Sequence, residues 1–140
     1  MTTINNVVVI GGGVAGLTAS IYLGRSELRP IVIMGNMPGG QLTQTSSIEN
    51  YPGFDEPING FDLTMKIIKQ AEHFNAEFIY DTVTGISILD NNSFEVKLES
   101  KNILLTKTVL IATGTSHKKL DILGEAKFVN KGVSWCATCD

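Results

Sequence analysis

A glycine-rich turn near the start of the chain is the feature that most limits how the chain folds. Residues 6–10 form a short, β-branched apolar run without alternation, which is typical of a buried parallel strand. The motif Gly11-x-Gly13-x-x-Gly16 follows directly, and residues 14–25 then have the spacing of a helix. Because a second apolar run follows this helix, the order of elements predicts a βαβ unit.

The spacing of these glycines matches the fingerprint of a dinucleotide-binding turn. One glycine permits the tight turn, one lets the backbone approach a pyrophosphate, and one lets helix and strand pack closely. The phosphates then face unpaired N–H groups at the positive end of the helix. Many such sites have an acidic residue after the second strand, but here the neighbourhood is Met34-Gly35-Asn36, with Asn36 as the candidate substitute. The motif alone leaves open a turn without ligand, and does not separate NAD from FAD.

The rest of the chain predicts a parallel sheet with an antiparallel insertion. Residues 61–74 have an apolar helical face, and residues 77–80 resemble a third short strand. Between residues 83 and 106 the period changes to two, which predicts a three-stranded meander. Residues 109–112 then form another buried apolar run. We therefore expect an α/β fold, with a long functional or disordered loop between its second strand and second helix.

Composition and charge exclude several classes of protein. The 140 residues are 43% hydrophobic with a net charge of −3, which is ordinary for one globular domain. The sequence has no basic stripe of the kind that binds nucleic acid. It also has no apolar run that approaches the ~20 residues needed to span a membrane. No positive charge precedes the first apolar run, as it would in a secretory signal, so we expect a cytoplasmic protein.

The two cysteines, Cys136 and Cys139, form a Cys-x-x-Cys pair that is followed by Asp140. In a reducing compartment such a pair indicates redox or metal chemistry. Thiol–disulfide exchange needs an activated thiol and a resolving partner, and Asp140 is a candidate proton donor or acceptor. Zinc is the main competitor, but His73 and His117 lack ligand spacing, so the sequence predicts no metal site. Two inert cysteines are the remaining alternative.

Four further sequence motifs lie between residue 39 and residue 140. They are Gly39-Gly40-Gln41-Leu42, Glu49-Asn50-Tyr51-Pro52-Gly53, Ile111-Ala112-Thr113-Gly114 and Gly132-Val133-Ser134-x-Cys136-Ala137-Thr138-Cys139-Asp140. Together with the glycine turn, and in this order, they resemble the low-molecular-weight thioredoxin reductase family. The residues that the motifs and the resemblance assign to cofactor binding are Gly11, Gly12, Gly13, Val14, Ala15, Gly16, Gly35, Asn36, Gly40, Gln41, Leu42, Asn50, Val83, Ala112, Thr113 and Gly114.

The resemblance implies a glutathione-reductase-like fold, in which an NADPH domain interrupts a Rossmann-like FAD domain. It implies that residues 1–114 are the N-terminal part of the FAD-binding domain. Residues 115–140 are then the crossover and the start of the NADPH domain, which carries the cysteine pair. Because family chains are longer, we expect the NADPH site and the rest of the FAD site in a C-terminal part beyond Asp140.

The resemblance also implies an activity and roles for individual residues. NADPH reduces FAD, which passes two electrons to the disulfide between Cys136 and Cys139, and the resulting dithiol reduces thioredoxin. In the family, the counterpart of Cys139 faces the flavin and that of Cys136 attacks thioredoxin. Asp140 corresponds to the acid that handles the proton, and Val83 to a position whose backbone meets the adenine. The family also implies a homodimer and a rotation between the two domains, with a hinge near His117.

Three alternatives to a thioredoxin reductase stay open from the sequence. The first is a flavoprotein that reduces a peroxiredoxin-type partner through the same cysteine pair. The second is a nicotinamide-binding Rossmann domain in a binding or regulatory role, against which the segments at Gly39 and Glu49 argue. The third is an inactive FAD-binding fragment, which we expect of these 140 residues alone because they contain no second glycine motif.

Overall fold

The computed structural model describes residues 4–90, 92–116, 118–129 and 131–134. Six strands form one mixed sheet within these ranges: β1 (Ile4–Ile10), β2 (Ile31–Ile33), β3 (Glu77–Ile79), β4 (Val83–Ile88), β5 (Phe94–Leu98) and β6 (Ile103–Ile111). The helices are α1 (Val14–Arg25), α2 (Gly60–His73), the short α3 (Glu125–Phe128) and a 3-10 helix at Gly40–Gln44. The predicted α/β fold is confirmed.

The sheet has the order β3-β2-β1-β6-β5-β4, with a parallel half and an antiparallel half. In the parallel half β1 lies between β2 and β6, so that Val8 stands opposite both Ile31 and Val109. Both neighbours supply hydrogen bonds to β1, and both faces of the sheet are covered there. An uninterrupted apolar strand is the expected sequence for that position. The predicted βαβ unit is therefore confirmed.

The strand β6 is continuous, whereas the sequence predicted two separate strands at residues 103–106 and 109–112. Its first part pairs antiparallel with β5, and from Leu105 onwards it also runs parallel to β1. Buried Thr106 lies at this link, and its hydroxyl donates to the carbonyl oxygen of Thr108 at 2.9 Å and to that of Asn5 on β1 at 3.3 Å. The polar Thr106, Lys107 and Thr108 interrupted the apolar pattern, and this made one strand resemble two.

The core lies on both faces of the sheet. Alternate residues of a strand point to opposite faces, and on one face Val9 packs in a cluster with Leu17 of α1 and Leu63 of α2. On the other face Val8 and Val96 belong to a second cluster, so the meander of β4, β5 and β6 covers the side that the helices leave open. The carboxyl ends of β1 and β2 are thereby held between two packed layers.

The long segment between β2 and α2 is ordered, so the disordered alternative is wrong. It contains the 3-10 helix and an antiparallel bridge between Ile48 and Ile58. The side chain of Asn59 then caps α2 by accepting a hydrogen bond from the backbone N–H of Phe61 at 2.8 Å. The residues described beyond β6 are irregular, as predicted, apart from α3, where the Glu125 carboxylate accepts from the backbone N–H of Leu120.

Several predicted features fall on residues that the structure does not describe. Cys136, Cys139, Asp140 and the hinge candidate His117 all lie outside the described residues. In the ranges that are described, no helix combines the length and the apolar character needed to cross a bilayer.

We predict that Leu63→Ala on α2 lowers the free energy of unfolding by about 2–5 kcal/mol, because the Leu63 side chain is only 1% exposed. The control is Met65→Ala on the same helix, at a position that is 37% exposed, with an expected loss of about 1 kcal/mol or less. Leucine and methionine have similar helix propensities, so the two substitutions differ mainly in how deeply the replaced side chain is buried. Urea unfolding followed by circular dichroism measures both, and equal losses would contradict this assignment of the core.

Candidate dinucleotide-binding cleft

A cleft of about 550 Å³ opens at the carboxyl ends of β1, β2 and β6. Open α/β sheets bind their ligands at this edge of the sheet. None of the described residues that line the cleft is charged. The predicted cofactor residues that the structure brings together there are Gly11, Gly12, Gly13, Val14, Ala15, Gly35, Gly40, Gln41, Leu42, Val83, Ala112, Thr113 and Gly114.

The glycine turn forms the floor of the cleft, and close packing explains two of its glycines. Gly11 has φ of +115°, and a Cβ there would overlap the carbonyl oxygen of Ala112. Its N–H donates to the carbonyl oxygen of Ile33 at 2.9 Å, so the turn is tied to β2 while it touches the end of β6. Gly16 does not line the cleft, because it packs beneath the turn, where a Cβ would overlap the carbonyl oxygen of Gly11.

The start of α1 offers unpaired donors to the cleft. The first intrahelical bond runs from the N–H of Leu17 to the carbonyl oxygen of Gly13 at 2.9 Å, so the preceding N–H groups have no helical acceptor. No side chain in the described part of the chain caps the helix, and its first turn has no acidic residue. A Cβ on Gly13 would meet no described atom within 4 Å. The turn therefore presents bare backbone and the positive end of a helix dipole, which suits an anion.

A second wall of the cleft comes from the segment around the 3-10 helix. The N–H of Gly39 donates to the carbonyl oxygen of Gly12 at 2.8 Å, and Gly13 and Gly39 form a parallel bridge. The side chain of Gln41 reaches the opposite wall, where its amide donates to the carbonyl oxygen of Thr115 at 3.4 Å. The long loop after β2 is thus held against the glycine turn by backbone hydrogen bonds.

The third wall, at Thr82 and Val83, depends on Asp81. The Asp81 carboxylate accepts from the N–H of Thr82 at 2.7 Å, and its backbone carbonyl accepts from the N–H of Gly35 at 3.0 Å. Hydrogen bonds from the Ser100 side chain and from the Thr82 backbone hold the pKa of Asp81 below its ordinary value. Asp81 therefore joins the end of β2, the start of β4 and the turn between β5 and β6.

Two other predicted cofactor residues, Asn36 and Asn50, are not among the residues that line the cleft. Asn36 is exposed between the lining residues Gly35 and Met37, and the hydroxyl of Thr82 donates to its side-chain oxygen at 2.5 Å. Asn50 is exposed within the loop that the bridge between Ile48 and Ile58 closes, and the cleft is formed without it. The predicted catalytic residues Cys136, Cys139 and Asp140 lie outside the described residues.

Sequence reasoning missed several residues that line the cleft. Gly39 and Thr82 directly precede predicted residues, so adjacency was a usable signal for them. Met37 also adjoins a predicted residue, Asn36, but it stands in a glycine- and proline-rich loop with no periodic pattern. The remaining lining residues that were not predicted are Ile10, Ile33, Met34 and Thr115.

A known protein family matches almost the whole chain. Residues 5–140 match the family model described as "Pyridine nucleotide-disulphide oxidoreductase". The chain belongs to the pyridine nucleotide-disulphide oxidoreductase family. Membership in this family accounts for a glycine-turn cleft and a Cys-x-x-Cys pair in one sequence, and it agrees with the resemblance that the motifs indicated.

Individual members of the family support the same assignment. The chain is 43% identical over 135 residues to thioredoxin reductase from Ureaplasma parvum, covering 96% of this chain and 43% of that relative. Among solved structures it is similar to thioredoxin reductase from Lactococcus lactis, with a TM-score of 0.82, 41% identity and coverage of 97% and 44% of the two chains. The Streptococcus pyogenes enzyme gives a TM-score of 0.84 at 40% identity, over 100% and 45%. The chain thus spans less than half the length of these relatives.

We predict that Asp81→Asn weakens the fold at neutral pH and that this loss fades in acid. The pKa of Asp81 is lower in the folded chain than in the unfolded chain. The ionised carboxylate therefore stabilises the fold at pH values above the pKa of the unfolded chain. That contribution is lost as the pH falls through the folded pKa. The difference in free energy of unfolding between wild type and Asp81→Asn should therefore shrink as the pH falls below about 4.

The measurement is urea unfolding of both proteins at a series of pH values. Ser100→Ala serves as a second variant, because it removes the hydroxyl that contributes most to the lowered pKa. We expect Ser100→Ala to lose less stability in acid than wild type, because its folded pKa lies closer to the unfolded pKa. A difference between wild type and Asp81→Asn that stays constant across the series would contradict the role given to this carboxylate.

Proposed function

We propose that this chain is the FAD-binding part of an NADPH-dependent thioredoxin-disulfide reductase. The observation that carries the proposal is the uncapped start of α1, which faces a neutral cleft at the carboxyl ends of three strands. A diphosphate needs donors and room for close backbone approach, and the glycine turn supplies both. The relatives named thioredoxin reductase, at about 40% identity over nearly the whole chain, support the choice of activity.

The residues of the cleft suit the separate parts of FAD. We assign the N–H groups of Val14 and Ala15 to the diphosphate, because no side chain in the described residues caps them and Gly13 leaves open space beside them. We assign the wall at Val83 to the adenine, and Gln41 to the flavin-bearing side of the cleft. When bound, FAD accepts two electrons from a nicotinamide and delivers them to a disulfide, while the protein supplies placement and exclusion of water.

The cysteine pair is proposed to carry the electrons out of the chain. The Cys136 thiolate attacks the disulfide of oxidised thioredoxin, which forms a mixed disulfide and releases one thioredoxin thiolate. The Cys139 thiol then displaces the second thioredoxin sulfur, so two thiols become one disulfide while the partner disulfide becomes two thiols. Asp140 is the proposed group that handles the proton of this exchange.

The proposed domain organisation follows from the same family. Residues 1–114 form the N-terminal part of the FAD domain, and residues 115–140 begin the NADPH domain. The curated relatives are more than twice as long as the matched region, and their additional length is where we propose the NADPH site. A homodimer and a cytoplasmic location belong to the same proposal.

We predict that the purified chain retains FAD after addition and desalting, and that Gly13→Ala weakens FAD binding at least about tenfold. The added methyl group occupies space that the structure leaves free beside the helix start, so folding is expected to be unaffected. Gly85→Ala is the matched control, because a Cβ there also meets no described atom within 4 Å and Gly85 does not line the cleft. Visible absorption and flavin fluorescence measure binding, and thermal unfolding measures folding. Equal FAD affinity in all three proteins would contradict the site.

A second prediction concerns the cysteine pair. The chain, reduced with dithiothreitol and desalted, is expected to transfer one pair of electrons to oxidised thioredoxin. Acid quenching, thiol alkylation and mass spectrometry measure the transfer. Cys139→Ser should accumulate a mixed disulfide between Cys136 and thioredoxin, because the resolving thiol is missing, whereas Cys136→Ser should form none.

The partner is tested by repeating the transfer with an oxidised peroxiredoxin-type protein. Faster transfer to the peroxiredoxin than to thioredoxin would favour the alternative function over the proposed one. A mixed disulfide with thioredoxin that accumulates in Cys136→Ser but not in Cys139→Ser would reverse the assignment of the two cysteines.

A further inference from the structure

The residue at the end of β2 differs in chemistry from the one that dinucleotide sites commonly have there. A carboxylate at this position accepts hydrogen bonds from the ribose hydroxyls and repels a 2′-phosphate. This chain has Asn36, which is exposed beside the cleft between Gly35 and Met37. Its side-chain amide has both an accepting oxygen and a donating nitrogen, so its environment decides which of them faces a ligand.

The hydroxyl of Thr82 determines which atom of the Asn36 amide faces a ligand. The Thr82 hydroxyl donates to Oδ1 of Asn36 at 2.5 Å, and Thr82 itself lines the cleft. The Thr82 hydroxyl, on the wall of the site, therefore fills one acceptor position of the amide oxygen and holds that oxygen toward Thr82. The donating atom, Nδ2, hydrogen-bonds to none of the described residues, so its two N–H groups remain for solvent or a ligand.

No carboxylate among the described lining residues replaces the acid that is missing at the end of β2. None of the described residues that line the cleft is charged, and the segment from Gly35 to Gln44 contains no acidic residue. The carboxylate of Asp81, the residue before Thr82, accepts hydrogen bonds from the N–H of Thr82 and from Ser100. Its oxygens are thereby held by Thr82 and by the turn between β5 and β6. A phosphate beside Asn36 would therefore meet N–H donors.

We propose that the pair of Asn36 and Thr82 makes the adenosine subsite of this cleft a hydrogen-bond donor, so that it accepts a 2′-phosphorylated adenine nucleotide as readily as one with a free 2′-hydroxyl. This inference rests on the proposed function, because the same cleft must hold the adenosine end of a dinucleotide. Preference for FAD over a 2′-phosphorylated nucleotide then has to come from the flavin-bearing side of the cleft.

Isothermal titration calorimetry of the chain with ADP and with 2′-phospho-ADP tests this directly. In the wild type we expect the Kd of 2′-phospho-ADP to be no more than about threefold above that of ADP. In Asn36→Asp the ratio of the two Kd values should rise at least about tenfold, because a carboxylate repels the 2′-phosphate. Asn92→Asp, which makes the same change of charge at the far end of β4, should leave the ratio unchanged.

Variants of Thr82 test whether its hydroxyl sets the direction of the amide. Thr82→Val removes the donor, so Oδ1 of Asn36 is free to face the ligand, and the Kd ratio should rise about two- to fivefold. Thr82→Ser keeps a hydroxyl and should restore the wild-type ratio. A role in packing alone would affect ADP and 2′-phospho-ADP equally and leave the ratio unchanged in both variants.

The outcomes separate this inference from the function on which it rests. Strong rejection of 2′-phospho-ADP by the wild type, or no change of ratio in Asn36→Asp, overturns the inference even if the chain retains FAD. Failure to bind either nucleotide overturns it as well. The predicted ratios in a chain that does not retain FAD would support the donor subsite while contradicting the proposed function.

Discussion

Close packing at Gly11 joins the turn after β1 to the ends of β2 and β6. Its N–H is bonded to the end of β2, and the absent side chain leaves room for the carbonyl oxygen of Ala112 after β6. Gly16 then lets α1 pack onto the same turn. The close approach fixes where the helix begins relative to the sheet, and therefore where its unpaired N–H groups point. Any side chain at Gly11 would push these elements apart.

Elements that depend on short-range patterns were predictable from the sequence, and elements that depend on partners distant in the sequence were not. The strands β1 and β2 and the helices α1 and α2 follow from apolar periodicity and from the glycine turn. The continuity of β6 does not, because the polar Thr106 is accommodated by hydrogen bonds to Thr108 and to Asn5, far away in sequence. Secondary-structure patterns contain no information about such tertiary partners.

The cleft also has parts that were predictable from the sequence and parts that were not. Its floor was predictable, because each glycine of the fingerprint has a separate steric reason to be there. Its walls were only partly predictable, because Met37 and Thr82 reach the cleft through the fold of the loop and through the Asp81 hydrogen bonds. Asn50 stays a prediction, since a motif match assigned it to the cofactor while the structure leaves it exposed outside the cleft lining.

If the start of α1 binds the diphosphate of FAD, amide NMR during an FAD titration should detect it. We expect the largest chemical-shift changes at the amides of Gly12, Gly13, Val14 and Ala15, with smaller changes on the wall at Val83. Unchanged amides at the glycine turn, with changes confined to the lysine-bearing surface of α2 at Lys66 and Lys69, would contradict it.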